Sequence, residues 1–283
     1  MAHTTRRRTP FHRSAQIDYM CLRSMDAMDN DDGSRTPPSI SRDWALFLDV
    51  DGTLVPHVDR PDGVIFNDAL RGLLTAVSGR LNGAVALVSG RSIASLDALL
   101  HPLELVWLSG LHGVQRRTAT GTYRTPEWDE DALLGYAQRA NDLVARFPGA
   151  SVEHNGPCLY LHWRSAPDAA SVLTSLAEEV EKTQPSHRLH RGQHGIEIRP
   201  AGIDKGEAIR HFMSASPFAG RRPVFVGDDP ADEPGFAAVN EMHGISVLVG
   251  PHRNTLARFR LPDVDAVLAW LAEQEARLTE EVT

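Results

Sequence analysis

The stretch Ala45-Leu46-Phe47-Leu48-Asp49-Val50-Asp51-Gly52-Thr53-Leu54 decides how this chain folds. An apolar run ends in two aspartates one residue apart, then a glycine and a threonine. Such a run, bounded by Gly, reads as a buried strand of a parallel sheet. Side chains two apart on an extended segment share a face, so Asp49 and Asp51 converge at the strand's carboxyl end, where open α/β sheets carry their chemistry. Two carboxylates this close repel unless a cation or a proton lies between them. The residue types point to a divalent metal site with one carboxylate available as nucleophile or acid. A strand ending in an Asp-Gly turn with solvated charges is the plainer alternative.

Outward from this strand, strand-like and helix-like segments alternate. Asn67 to Leu81 has helical spacing at Leu70, Leu73, Leu74 and Val77. The apolar run from Gly83 to Val88 ends at Ser89-Gly90-Arg91, Ser92 to Leu100 reads as a helix, and Val106-Trp107-Leu108 as a strand ahead of Ser109-Gly110-Leu111-His112-Gly113. This order implies a parallel sheet with right-handed crossovers. The middle of the chain changes character. Helices over Asp129 to Phe147 and Pro167 to Thr183 accompany four strand-like segments, Ser151 to His154, Leu159 to Arg164, His187 to His190 and Gly195 to Arg199. Asn155-Gly156 marks a turn that Pro157 and Cys158 lengthen. Residues 116–197 therefore read as an inserted α+β domain with a small antiparallel sheet covered on one face. Afterwards the first pattern resumes: a helix from Asp204 to Met213, the strand Pro223 to Gly227 ending at Asp228-Asp229, a helix from Asp232, the strand Ile245 to Val249 and a last helix from Asp263 to Gln274. The fold class expected is α/β, a doubly wound parallel sheet over 43–115 and 198–283 carrying the inserted domain.

Four positions recur near strand ends or helix starts: Asp49 with Asp51, Ser89, Lys205, and Asp228 with Asp229. Metal-assisted phosphoryl transfer needs such a set, with a carboxylate nucleophile, a neighbouring acid, a hydroxyl and an ammonium on the phosphate oxygens, and further carboxylates for Mg²⁺. Singly, each has a bland reading, as a turn, a solvated lysine or a helix cap. Their joint occurrence in this order does not.

These residues resemble the haloacid-dehalogenase-like phosphatase superfamily. Its motifs correspond to Asp49-Val50-Asp51-Gly52-Thr53, Ser89, Lys205 and Gly227-Asp228-Asp229-Pro230-Ala231-Asp232-Glu233, and the insertion matches members with a large α/β cap. Within it, the chain is similar to the trehalose-6-phosphate phosphatases. That likeness rests on Val88-Ser89-Gly90-Arg91, Gly110-Leu111-His112-Gly113, Leu161-His162-Trp163-Arg164, Glu197-Ile198-Arg199-Pro200, Asp204-Lys205-Gly206-Glu207-Ala208-Ile209 and Val226-Gly227-Asp228-Asp229, and spans roughly residues 43–272.

The resemblance implies a Mg²⁺-dependent phosphatase that frees trehalose from trehalose 6-phosphate through an aspartyl-phosphate. It implies Asp49 as nucleophile and Asp51 as acid and then base, with Thr53, Ser89 and Lys205 assisting. For the metal it implies Asp49, the Asp51 carbonyl and Asp228, with Asp229 or Asp232 in support. For the substrate it implies Asp49, Val50, Asp51, Ser89, Arg91 and His112 in the core, and Glu153, Arg164 and Glu197 gripping sugar hydroxyls from the cap. Three positions depart from the family pattern: Gln193 and Gln115 in places tied to sugar contact, and Ala231 in the fourth motif. A phosphatase for sucrose 6-phosphate or a mannosyl phosphoglycerate is an alternative. So is a silent domain regulating a trehalose-phosphate synthase; with an active enzyme, such a synthase is a functional partner instead.

Bulk properties narrow the partners. The net charge of −8 over 283 residues argues against a broad nucleic-acid footprint, and no run approaches a membrane span of about 18 apolar residues. Cys21 and Cys158 form no metal-spaced pair or disulfide framework, so a reducing cytoplasm is the expected compartment. Residues 1–42 have no sustained apolar period, and the arginines at 6–8 precede no apolar signal core. This segment is expected to be disordered, with Met25 or Met28 as alternative starts. Nothing in the sequence fixes an oligomeric state.

Overall fold

The computed structural model describes residues 35–58, 64–103, 105, 107–124, 131 and 133–280. Strand β1 (Trp44–Leu48) is buried at all five positions. Since successive side chains point to opposite faces, both faces of the sheet are covered there. Helix α1 (Asp68–Arg80), β2 (Val85–Val88), α2 (Ile93–Leu100) and β3 (Trp107–Gly110) follow. After the insertion come α5 (Lys205–Met213), β10 (Arg222–Gly227), α6 (Glu233–Glu241), β11 (Ile245–Val249), β12 (Phe259–Leu261) and α7 (Val264–Glu280). The sheet order is β12-β11-β10-β1-β2-β3, all parallel. Chain direction across the sheet reverses at β1, so the crevice at the carboxyl ends of β1 and β10 is the switch point of a doubly wound fold. Helix α1 packs on α7 and α5 on α6. Phe47 of β1 stacks on Phe218 and Phe212, with Trp107 edge-on.

The helix starts follow capping chemistry. Asn67, Ser92 and Asp204 each accept a backbone N–H three residues on through their side chains. The last helix runs to Glu280, beyond the Gln274 expected, because Leu278 still reaches the core.

The insertion has its own antiparallel sheet, β6-β7-β9-β8, built from β6 (Ser151–Asn155), β7 (Cys158–His162), β8 (His187–Arg191) and β9 (Gly195–Pro200). Leu159, Leu161, Ile196 and Ile198 pack with residues of α3 (Leu134–Val144) and α4 (Ala170–Thr183) into a separate core. Asn155 pairs directly with Cys158, so the turn has two residues rather than the longer loop expected.

The sheets divide the chain differently from the boundaries read in the sequence. Strands β4 (Gln115–Thr118) and β5 (Gly121–Arg124) extend the large sheet as an antiparallel hairpin on β3, and β9 keeps residues up to Pro200 in the small one. The hairpin hides from pattern reading because β4 is polar. Its Arg116 is buried with Nε on the Gly113 carbonyl, and Arg117 reaches Asp97 and the Leu105 carbonyl.

The expected disorder of residues 1–34 lies outside the described residues. Residues 35–42, assigned to the same segment, pack on the body instead. Ile40 is 3% exposed within the core, and its N–H donates to Gln274 Oε1 at 3.0 Å. Among the described residues no helix is long and apolar enough to cross a membrane. Cys158 is a free thiol, pushed up by burial to about 12.

Candidate active site

Asp49 leaves β1 with its N–H on the Val226 carbonyl of β10, 3.0 Å away. The chain then turns sharply. The Val50 carbonyl accepts from the N–H groups of Thr53, Leu54 and Val55, and Gly52 N–H closes on the Val55 carbonyl at 2.7 Å. Gly52 sits at φ +83°, and a Cβ there would lie 2.2 Å from Asp228 Oδ2 and 2.5 Å from His57 Nε2. Glycine is required twice, for the left-handed backbone and for the space. Gly52→Ala should therefore destabilise the fold by at least ~1–2 kcal/mol from backbone strain. It should also displace the Asp228 carboxylate and weaken divalent-cation binding. Denaturant unfolding and cation titration check this; unchanged cation affinity would show that Asp228 is not where the ion binds.

Lys205, the first residue of α5, extends its ammonium between two buried carboxylates. Nζ is 2.7 Å from Asp49 Oδ1 and 2.6 Å from Asp232 Oδ1. Asp232 Oδ2 accepts the N–H groups of Asp228 and Asp229, both at 2.9 Å. Asp228 Oδ2 meets His57 Nε2 at 2.8 Å, while its Oδ1 is buried with no hydrogen-bond partner. Burial raises the Asp49 pKa well above the carboxylate range; Lys205 opposes this and the Asp232 and Asp228 charges add to it. Burial alone would lower the Lys205 pKa, but the two carboxylates outweigh it and hold the ammonium charged. The hydrogen bond to Asp228 raises the His57 pKa.

Oxygen atoms of Asp49, Asp228 and Asp232 lie within 4.8 Å of one another. Three carboxylates against one lysine, with one buried oxygen lacking a donor, leave a deficit of positive charge. The set is all oxygen, which suits a hard divalent cation such as Mg²⁺.

The remaining positions named from the sequence divide into those this cluster gathers and those it does not. Arg91 holds Asp51 in a two-pronged grip, Nε to Oδ2 at 2.6 Å and Nη2 to Oδ1 at 2.7 Å, so the Asp51 side chain stands outside the carboxylate cluster. Ser89 is buried and its Oγ accepts the Arg91 N–H at 3.1 Å. Thr53 Oγ1 lies 3.5 Å from Asp49 Oδ2. The Val50 side chain is part of the core. Asp229 does not join the cluster. Its carboxylate caps the Ala231 N–H at 2.6 Å in a reciprocal capping box with Asp232, and Asp232 takes the third place. The Asp228-Asp229-x-x-Asp232 spacing across a helix start carries this signal, because the residue four on folds back over the preceding strand end.

On the cap, β-pairing aligns four side chains in one row: Glu153, Tyr160, Glu197 and His190. The row lies on the face opposite the cap's apolar core. Glu197 Oε2 is 3.4 Å from His112 Nε2, which follows β3 of the large sheet, and its Oε1 is 3.5 Å from Arg199 Nη1. Arg199 Nη2 also reaches His190 Nδ1 at 3.1 Å. Burial raises Glu197 and, reinforced by Arg199 and Lys205, drives His112 well below the usual histidine range. His112 occupies three successive left-handed residues, Leu111, His112 and Gly113 at φ 48°, 54° and 110°. Its N–H donates to the Ser89 carbonyl at 3.0 Å and that of Leu111 to the Arg91 carbonyl at 2.9 Å. Two non-glycine residues held in that region mark stored strain.

Glu153 stands at the exposed edge of the row, 3.5 Å from His162 Nε2. Arg164 lies past the end of β7, exposed and outside the row. Gln115 Oε1 accepts the Ile93 N–H at 2.8 Å, which gives it a place at the start of α2, and Gln193 is exposed in the β8–β9 turn. Tyr160, His190, Arg199 and His57 are the residues sequence reading missed. Arg199 sits two past Glu197 and was legible by strand alternation; Tyr160 and His190 need the register, and His57 carries no local signal.

A family model described as trehalose-phosphatase matches residues 47–265. A trehalose-6-phosphate phosphatase of Escherichia coli is 39% identical over 83% of this chain and 87% of its own length. A probable trehalose-phosphate phosphatase of Sinorhizobium fredii is 37% identical over 74% of this chain and 78% of its own length. Among solved structures, the C-terminal domain of the C. albicans trehalose-6-phosphate phosphatase superposes with a TM-score of 0.71 at 23% identity, covering 86% of this chain and 99% of that one.

Proposed function

The chain belongs to the trehalose-phosphatase family, and from that premise we propose that it releases phosphate from trehalose 6-phosphate by nucleophilic attack of Asp49 at a Mg²⁺-assisted centre. Its fold is the α/β, haloacid-dehalogenase-like core with an inserted cap. The observation that carries the reading is the triad of Asp49, Asp228 and Asp232, with the Lys205 ammonium between Asp49 and Asp232 and with Asp228 Oδ1 unpartnered.

Those three carboxylates would hold the Mg²⁺, which when bound supplies positive charge to the phosphoryl oxygens. The Asp49 carboxylate attacks phosphorus, the P–O bond to the sugar breaks, and the departing oxygen takes a proton from Asp51. Asp51 then removes a proton from the water that opens the aspartyl-phosphate, which returns free Asp49 and inorganic phosphate. The Arg91 fork must turn from Asp51 for this, and the incoming phosphate dianion is the natural competitor for it. Lys205 keeps Asp49 from repelling its neighbours and offers its charge to the phosphate. The intact set of Asp49, Asp51, Lys205 and Asp228 favours catalysis over a silent regulatory role.

A phosphate-release assay over trehalose 6-phosphate, sucrose 6-phosphate and a mannosyl phosphoglycerate tests the substrate. Preference for either alternative would overturn the assignment. In the same assay EDTA should abolish activity and Mg²⁺ restore it, while Ca²⁺ alone should not, because Ca²⁺ takes more ligands at longer distances. Full turnover in Ca²⁺ or in EDTA would contradict the metal reading.

Glu197 carries the sugar specificity in this account. Glu197→Ala should lower kcat/KM on trehalose 6-phosphate about ten- to a hundred-fold, the worth of a charged hydrogen bond. Nitrophenyl phosphate, with no glucose to grip, should be hydrolysed as by the unaltered enzyme. A parallel fall on both substrates would make Glu197 structural.

A further inference from the structure

Past β11 the chain walls a cavity of about 210 Å³ that the catalytic reading does not use. Its polar lining is His252, Arg253, Asn254, Thr255, Arg258 and Arg260, and no acidic residue lines it. Such a concentration of positive charge stands out in a chain of net charge −8. Behind the lining, Glu233 takes Arg253 and the Thr255 hydroxyl; of the three arginines only Arg253 has a carboxylate partner. Arg260 Nη1 meets only the neutral Gly250 carbonyl at 3.3 Å. The Arg258 side chain is exposed and only its main-chain N–H has a hydrogen-bond partner among the described residues, whereas Arg253 Nε is buried without an acceptor. Two of the three guanidinium groups, on Arg258 and Arg260, thus face the cavity with no carboxylate of their own, which leaves positive charge for an anion to meet.

The volume selects the anion. It is below the range of about 300–1,000 Å³ typical of drug-sized ligands, so a compact group fits and a nucleotide does not. Guanidinium forks with the Asn254 amide as a further donor match tetrahedral phosphate oxygens. The cavity is also wired to the catalytic centre. Arg253 Nη2 donates to the main-chain carbonyls of Asp228 at 3.4 Å and Asp229 at 3.0 Å.

We propose that this cavity is a second anion site that takes a phosphate group, as inorganic phosphate or as the phosphoryl end of a compact monoester, and that its occupant draws on Arg253 and thereby loosens the segment carrying Asp228. Bound phosphate then slows turnover from outside the catalytic centre.

Two measurements test this. The first is calorimetric titration of the full chain with inorganic phosphate and, separately, glucose 6-phosphate, both without divalent metal. Without metal the carboxylate triad weakens phosphate binding at the catalytic centre, and the comparison with Arg258→Gln, which leaves Arg91 and Lys205 in place, isolates the cavity's share. Phosphate should bind, and Arg258→Gln should bind it about tenfold more weakly, with Arg258→Lys close to unaltered. Binding of both probes identifies the phosphoryl group as the feature recognised; binding of phosphate alone identifies the reaction product. Binding of neither, or equal binding by Arg258→Gln, overturns the site. The second is inhibition by added phosphate in the Mg²⁺ assay, and it alone rests on the phosphatase reading. Phosphate should lower kcat as well as raise KM. Arg258→Gln should keep basal kcat and KM, retain the KM effect and lose the kcat effect. Purely competitive inhibition of the unaltered enzyme would overturn the link through Arg253.

Discussion

Replacing Asp49 with asparagine should lower phosphate release by several orders of magnitude, because an amide cannot attack phosphorus or form the acyl phosphate. The same substitution should leave the fold intact. Asp49 sits buried beside two further carboxylates, and burial already strains its charge. A neutral isostere removes repulsion as it removes one partner of Lys205, which keeps Asp232. In EDTA the variant should therefore melt within a few degrees of the parent. Phosphate release and thermal melting, measured on one preparation, separate the two effects. Retention of even about a tenth of the parent rate would exclude the covalent role, since that is barely 1.4 kcal/mol of barrier.

Lys205→Met should have the opposite character, with a large loss of stability alongside the loss of rate. Lys205 is 2% exposed and is the counter-charge shared by Asp49 and Asp232. Methionine fills similar volume but leaves two carboxylates buried with no cation between them. Breaking a buried ion pair from one side costs about 3–5 kcal/mol. Urea unfolding in EDTA should show a fall of that order, and Mg²⁺ should restore part of it by supplying the missing charge. Turnover should drop at least about a hundredfold, the usual effect of removing one preorganised group from a charged transition state. A stability change under about 1 kcal/mol in EDTA would mean the triad is not held together by Lys205.

What could be read from the sequence follows the physics of each part. The core strands were legible because burial on both faces writes an unbroken apolar run, as in Ala45 to Leu48 and Pro223 to Gly227. The helix starts were legible because Asn67, Ser92 and Asp204 cap them through local side-chain bonds. Strands β4 and β5 were not, since their arginines are satisfied by carbonyls and acids distant in sequence. The clustered aspartates Asp49 and Asp228 announced themselves by position after strands. Which acid completes the triad is written only in the Asp228-Asp229-x-x-Asp232 spacing, because the helix start buries Asp232 against Lys205 and leaves Asp229 exposed as the cap of Ala231. Of the cap positions, Glu197 is brought against the core and Arg164 is not. That difference depends on strand register and on where β7 ends, and neither is written in local composition.

The left-handed elbow at 111–113 bears on how this enzyme can be re-engineered. His112 belongs by chain to the catalytic unit, yet it faces Glu197 of the cap. The elbow's backbone is pinned by the carbonyls of Ser89 and Arg91, and the Arg91 side chain in turn grips Asp51. On the proposed role of Glu197, sugar recognition is divided between two modules that are contiguous in space and separate in sequence. Transplanting a relative's cap alone would replace Glu197 and set the new cap face against an elbow whose His112 meets the original one. A chimera intended to change the sugar has to carry the Gly110–Gly113 segment together with the insertion, and the Ser89–Arg91 loop that anchors it must be compatible with both.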